Sequence, residues 1–229
     1  MKELSTLTIT GHASMDFTPD QMTISLSFQH TYDSYALAYE QAISHQQIIS
    51  NILQENHMEA SLAKTSTLSI GKDQITIRDK HYNEKERKLL GYKLHQVFDI
   101  TMDINNNLLS LLLAQIADTL PEAELILSYS LKDNQQAELT VLAKAVKNAQ
   151  AQATAITSAA NCILDAIKEI NPQGNIGIEN YHNRMPMGKL LAFRSSSSGF
   201  LTEDSIALPS ISPDKITIYQ TVTINWYIK

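Results

Sequence analysis

Between Leu90 and Ile104 apolar side chains take alternate positions (Leu90, Tyr92, Leu94, Phe98, Ile100, Met102, Ile104), while Lys93, His95, Asp99, Thr101 and Asp103 fall between them. A period of two sends successive side chains to opposite faces of an extended chain, so this is a strand with one dry and one mostly wet side. The dry side needs a cover and the wet side forbids a second one. That combination is met by an antiparallel sheet with helices packed on one face.

Other segments repeat the theme. Leu7, Ile9, Gly11, Ala13, Met15 and Phe17 alternate with Thr, His, Ser and Asp, "TPDQ" turns the chain, and the alternation resumes at Met22, Ile24, Leu26 and Phe28. The pair is expected to form an N-terminal antiparallel hairpin. Strands are also expected over about 62–77, with an interruption at Gly71, through Leu125, Leu127, Tyr129 and Leu131, weakly around Ala166 to Ile170, and strongly from Ile216 to Ile228. "NPQGNIG" reads as loop.

Three helices separate these strands. Asp33 or Ser34 can cap a helix running to about Asn56, with Tyr35, Ala38, Ala42, Ile49, Ile52 and Leu53 on or near one face. "NNN" at 105–107 can cap "LLSLLLAQIADT", whose apolar residues run most of the way round and predict deep packing. From Gln135 to Ala160 the stripe Leu139, Leu142, Val146, Ala149, Ala153, Ile156 and Ala160 predicts a helix lying close on a sheet, because alanine lets backbones approach, with coiled-coil dimerisation as the alternative. The expected class is α+β, with the strand, helix, strand order of 21–77 echoed over 90–132.

The order of elements and three local motifs resemble the SIMPL domain family, named for a signalling molecule that associates with a pelle-like kinase and including bacterial periplasmic immunogenic proteins. "ITGHASMDFTPDQMTISLSF" looks like the family's opening strand, turn and second strand, "GYKLHQVFDITM" like its central strand, and "LAKAVKNAQAQATAIT" like its alanine helix. The resemblance spans almost the whole chain and implies one SIMPL-like domain over residues 1–229. It also implies a protein that self-associates and binds partners, with links to envelope stress or signalling and no agreed enzymatic activity. The chain departs from the family after the alanine helix, where "ANCILDAIKEI" replaces a glycine-containing turn.

Chemistry is sparse. The net charge of -6, with no cluster of Lys and Arg, argues against a nucleic-acid partner. Neither GxGxxG nor GxxxxGK[ST] occurs, which removes support for a phosphate-cradling loop, and the seven histidines include no HExxH and no pair at helical ligand spacing. No cofactor and no metal are therefore expected. His12, His30 and His95 fall on polar strand faces, "SSSSG" lacks a nucleophile elbow, and Asp99 and Asp103 lie about 13 Å apart on a strand. Cys162, the single cysteine, reads as an inert apolar packing residue.

The exception to the plain pattern is the segment from about 182 to 212, which has no helix or strand period yet carries Met185, Met187, Leu190, Leu191, Phe193, Phe200 and Leu201. Exposed together, these would make an apolar area large enough to mark an interaction site. It is read as an arm packing on another copy of the chain; a lid over a ligand and folding back onto the chain's own sheet are the alternatives. The leading expectation is a non-catalytic, self-assembling binding or scaffold protein, a homo-oligomer with a further protein partner unknown. A kinase-like partner rests on the family name alone. The rival is an enzyme or small-molecule binder with its site between the sheet and the 182–212 loop, which would need a histidine and a carboxylate within hydrogen-bond reach in one pocket. No stretch reaches the length of a membrane span, and "MKELSTLTITG" passes into strand without an apolar leader, which implies a cytoplasmic protein, or a periplasmic or envelope one if this is a mature form.

Overall fold

A computed structural model describes residues 5–78, 84–179 and 213–229. The elements run β1 (Ser5–Phe17), β2 (Gln21–Tyr32), α1 (Tyr35–Glu55), β3 (Ala63–Arg78), β4 (Glu84–Asp103), α2 (Asn106–Thr119), β5 (Glu124–Ser130), α3 (Asn134–Ala159), β6 (Leu164–Glu179) and β7 (Ile216–Ile228). The class is α+β, as the alternations and helical stripes predict, with the strands divided between two sheets ordered β1-β7-β6 and β3-β4-β2-β5. The described residues group into two compact units: residues 21–129 form one, and residues 5–20, 130–179 and 213–229 form the other.

The continuous unit interleaves two strand, helix, strand segments. The pair β2-α1-β3 skips over β4, and β4-α2-β5 skips over β2, giving the βαββαβ order of ferredoxin-like folds. The echo between 21–77 and 90–132 therefore corresponds to two interlocked halves of one sheet. Ser34 caps α1 by accepting from the Leu37 amide, and Asn105 caps α2 by accepting from the amides of Asn107 and Leu108. Met22, Ile24, Leu26 and Phe28 of β2 and Phe98, Ile100 and Met102 of β4 share a core with Ile49, Ile52 and Leu53 of α1 and Leu109, Leu112, Leu113 and Ile116 of α2. Leu111 stays exposed, so the α2 packing is deep on one side only.

The expected β1–β2 hairpin does not form. β1 pairs antiparallel with β7 along its whole length, from Ser5↔Ile228 to Phe17↔Ile216, and β2 pairs with β4. Alternation shows which side of a strand is dry but carries no information about its neighbour, and the turn at Pro19 leads from one sheet to the other.

The face of α3 also differs from the expected stripe. Ala137, Val141, Ala145, Ala149, Ala153 and Thr157 are its buried residues, whereas Leu139 and Ile156 are exposed. These buried positions recur every fourth residue, a ridge oblique to the helix axis, which is how a helix meets a twisted sheet. Gly11 of β1 makes the contact close. A Cβ there would fall 2.7 Å from the Ala149 Cβ and closer still to the Ala145 carbonyl oxygen.

Asn161 ends α3 with φ of 54°, taking the left-handed position that a glycine would otherwise fill, while the Cys162 amide donates to the Thr157 carbonyl. β6 extends beyond the expected strand, through Pro172 and on to Glu179. It lies at the edge of its sheet, where a proline's missing N–H leaves no ladder bond unmade. Likewise β3 passes Gly71 without a break, and its irregularities fall at Thr65/Thr67, Asp73/Gln74 and Ile77/Arg78.

Candidate functional site

The apolar row of α1 contains a polar member. Ala38, Ala42, Ile49, Ile52 and Leu53 are buried, and His45, at the same helical spacing, is buried with them at 3% exposure. Opposite it the dry face of β4 also carries a polar residue, Gln96, at 2% exposure. Two buried polar side chains need partners, and they find each other: His45 Nδ1 lies 3.2 Å from Gln96 Oε1, while Gln96 Nε2 donates to the Ala42 carbonyl at 3.1 Å.

These bonds fix the tautomer. A carbonyl oxygen accepts only, so the amide nitrogen of Gln96 must face Ala42 and its oxygen must face the imidazole. Nδ1 then carries a hydrogen. Phe28 stacks on the ring at a centroid distance of 4.0 Å and an angle of 16°, which holds the imidazole plane. The remaining nitrogen, Nε2, is 3.5 Å from Glu122 Oε1.

A cleft of about 270 Å³ opens at this point, lined by Phe28, Gln29, His30, Tyr32, Gln41, His45, Leu94 and Glu122. Its floor is buried, at His45 and Leu94, and its rim is wet, with the Glu122 side chain 55% exposed. Burial raises the pKa of the Tyr32 phenol, and the Glu122 carboxylate raises it further, so Tyr32 presents a neutral hydroxyl. His30 meets the Tyr32 ring edge-on at 4.8 Å. The arrangement offers a fixed imidazole nitrogen, a carboxylate and a phenol around a small half-open space.

Of the residues singled out from sequence, His30 lines this cleft. Met185, Met187, Leu190, Leu191, Phe193, Phe200 and Leu201 lie outside the described residues, as does the whole 182–212 segment. His12 is exposed and its Nδ1 meets Thr221 Oγ1 at 3.2 Å, and Asp99 accepts from Ser25 at 2.6 Å. Cys162, expected to be an apolar packing residue, is half-buried beside the Ala160 carbonyl. Among the described residues no group of three or more His, Cys, Asp or Glu is placed to hold a metal. No helix there is long and apolar enough to cross a membrane.

A second feature concerns the sheet margin. β2 accompanies β4 only as far as Tyr32↔Tyr92, while β3 and β4 continue as a pair through Gln74↔Leu89, Ile75↔Lys88 and Ile77↔Glu86 to Arg78↔Glu84. Gly91, with φ of 153°, and the unpaired Leu90 mark the point of departure. Beyond it the two strands form a ribbon on which Ile75, Ile77, Leu89 and Leu90 are exposed. Ile75 and Ile77 share one face and Leu89 lies on the other.

No curated protein is matched by the chain. The family model described as "SIMPL: Protein of unknown function (DUF541)" matches residues 7–226, from the first strand to the last, and the chain therefore belongs to the SIMPL family.

Proposed function

We propose that the protein is a non-catalytic binding module that assembles with copies of itself, and that the β3–β4 ribbon is a principal contact. The observation that carries this reading is the row of exposed aliphatic side chains on a two-stranded extension. Two strands alone are marginal in water, and aliphatic residues on both faces call for cover that a second copy can supply. Met185, Met187, Leu190, Leu191, Phe193, Phe200 and Leu201 are proposed as a further contact with the same neighbour.

Light scattering tests the reading. The chain is expected to scatter as a multiple of its 25.5 kDa. The triple substitution Ile75→Lys, Ile77→Lys, Leu89→Lys is expected to lower that mass while circular dichroism stays unchanged, and replacement of residues 185–200 by a short glycine-serine link is expected to lower it too. A clean monomer of the unsubstituted chain at micromolar concentration would overturn the proposal. The cleft beside His45 favours a second reading, small-molecule binding, since it sets a histidine and a carboxylate side by side.

A further inference from the structure

The hydrogen bonds around His45 leave an imbalance. Nδ1–H is committed to Gln96, so in the neutral ring Nε2 is a lone-pair acceptor, and it faces a second acceptor, the Glu122 carboxylate, at 3.5 Å. Two acceptors turned toward each other, His45 at the floor of the cleft and Glu122 on its rim, are satisfied by a donor between or beside them. Either the imidazole takes a second proton and pairs with Glu122 itself, or a donor arrives from outside.

For a donor from outside, the lining sets the charge. Among the described residues of the lining Glu122 is the one carboxylate and none is Lys or Arg, so an anion finds no charged partner there whereas a cation does. Tyr32, held neutral, adds a phenolic oxygen, and Leu94 and Phe28 supply an apolar wall. The volume is at the small end for an organic ligand. Among the described residues the His and Glu pair lacks the third ligand that a metal ion would need.

We propose that the cleft bounded by β2, α1 and Glu122 is a binding site for a small primary ammonium compound, whose N–H groups bond His45 Nε2 and the Glu122 carboxylate while its short hydrocarbon part lies against Leu94. Gln96 is a positioning residue in this site. It acts through His45, holding the acceptor nitrogen toward the ligand.

The experiment uses the full chain and two four-carbon probes of opposite charge, n-butylammonium and butyrate, followed by amide chemical shifts and by the imidazole nitrogen spectrum of His45. Butylammonium is expected to shift the resonances of residues 28–32, 45 and 94, and butyrate to leave them in place. At saturation His45 is expected to show a protonated Nδ1 and an unprotonated Nε2. Glu122→Gln, at an exposed position that should not disturb folding, is expected to weaken butylammonium binding about tenfold, the loss of roughly one charge-assisted contact. The proposal is overturned if butyrate binds as well as butylammonium, if Glu122→Gln leaves the affinity unchanged, if His45 stays doubly protonated with the probe bound, or if zinc chloride shifts the cleft resonances and butylammonium does not.

Discussion

The two compact units cover their sheets with helices in opposite ways. In the continuous unit, α1 and α2 bring leucines and isoleucines to meet Phe28, Phe98 and Met22 from the strands, so bulk is shared between the two layers. In the other unit the strands bring Val222, Ile224 and Trp226, and α3 answers with Ala145, Ala149 and Ala153. The first interface is held by interdigitated side chains and tolerates no loss of volume. The second is held by close approach of backbones, with Gly11 under Ala145 and Ala149, and tolerates no gain. Burial alone does not distinguish them, since Ala149 and Leu112 are both 0% exposed; the direction of the damaging substitution does.

The largest effect is expected from removing volume in the first unit. Phe98, 1% exposed and edge-on to Phe28 at 6.1 Å, should cost about 3–5 kcal/mol as Phe98→Ala. Urea unfolding checks it, and a cost under about 1 kcal/mol would show that the core collapses around the gap.

Adding volume in the second unit comes next. Ala149→Leu should cost about 1–3 kcal/mol by forcing α3 off β1. The informative control is Leu139→Ala on the same helix, expected to stay within about 0.5 kcal/mol because Leu139 is 51% exposed. Equal thermal shifts for the two substitutions would erase the distinction between the interfaces.

The smallest effect belongs to Tyr129, whose buried hydroxyl has no hydrogen-bond partner among the described residues and whose pKa burial raises. Because the folded state holds this proton more tightly than the unfolded chain does, the favourable contribution is present below about pH 10 and lost as pH rises through the higher folded value. Tyr32 acts in the same direction. Tyr129→Phe should therefore leave stability near neutral pH unchanged or about 1 kcal/mol higher, and should make the alkaline decline shallower. Denaturant titrations at neutral and alkaline pH measure both.

Much of this fold is legible in the sequence because its strands are one-sided. The alternation at 216–228 gives β7 to the residue, that at 90–104 gives the end of β4 but not its first six residues from Glu84, and Ser34 and Asn105 mark the starts of α1 and α2. Pairing was not legible. Nothing in Leu7 to Phe17 distinguishes β7 from β2 as its neighbour, since both present an alternating apolar row. For α3 the large residues Leu139 and Ile156 pull the expected face away from the alanines, which are buried for their smallness and not their hydrophobicity.

The site was half visible. His45 continues the spacing of Ala38, Ala42, Ile49 and Ile52, and Gln96 breaks the dry row between Leu94 and Phe98; two polar residues on two buried faces were the available signal. Glu122 gave none, because it lies in the turn between α2 and β5, where a carboxylate is ordinary. The 182–212 segment lies outside the described residues, so its expected contacts stand with the proposal of assembly.

The pairing of β1 with β7 bears on how the chain is made. Thr10 and Thr223 meet through their hydroxyls at 3.0 Å across a separation of 213 positions, and β7 is the central strand of its sheet. At the usual pace of ribosomal synthesis, β1 emerges roughly 10–40 s before the strand it must join. The continuous unit, by contrast, has every one of its strands in hand once Ser130 has been added. A nascent chain therefore passes through a period in which one sheet can be finished while β1 lacks its ladder partner and the alanine face of α3 lacks Val222, Ile224 and Trp226. During that interval the small residues that later allow close packing also keep the exposed surface only weakly adhesive, which suits a segment obliged to wait.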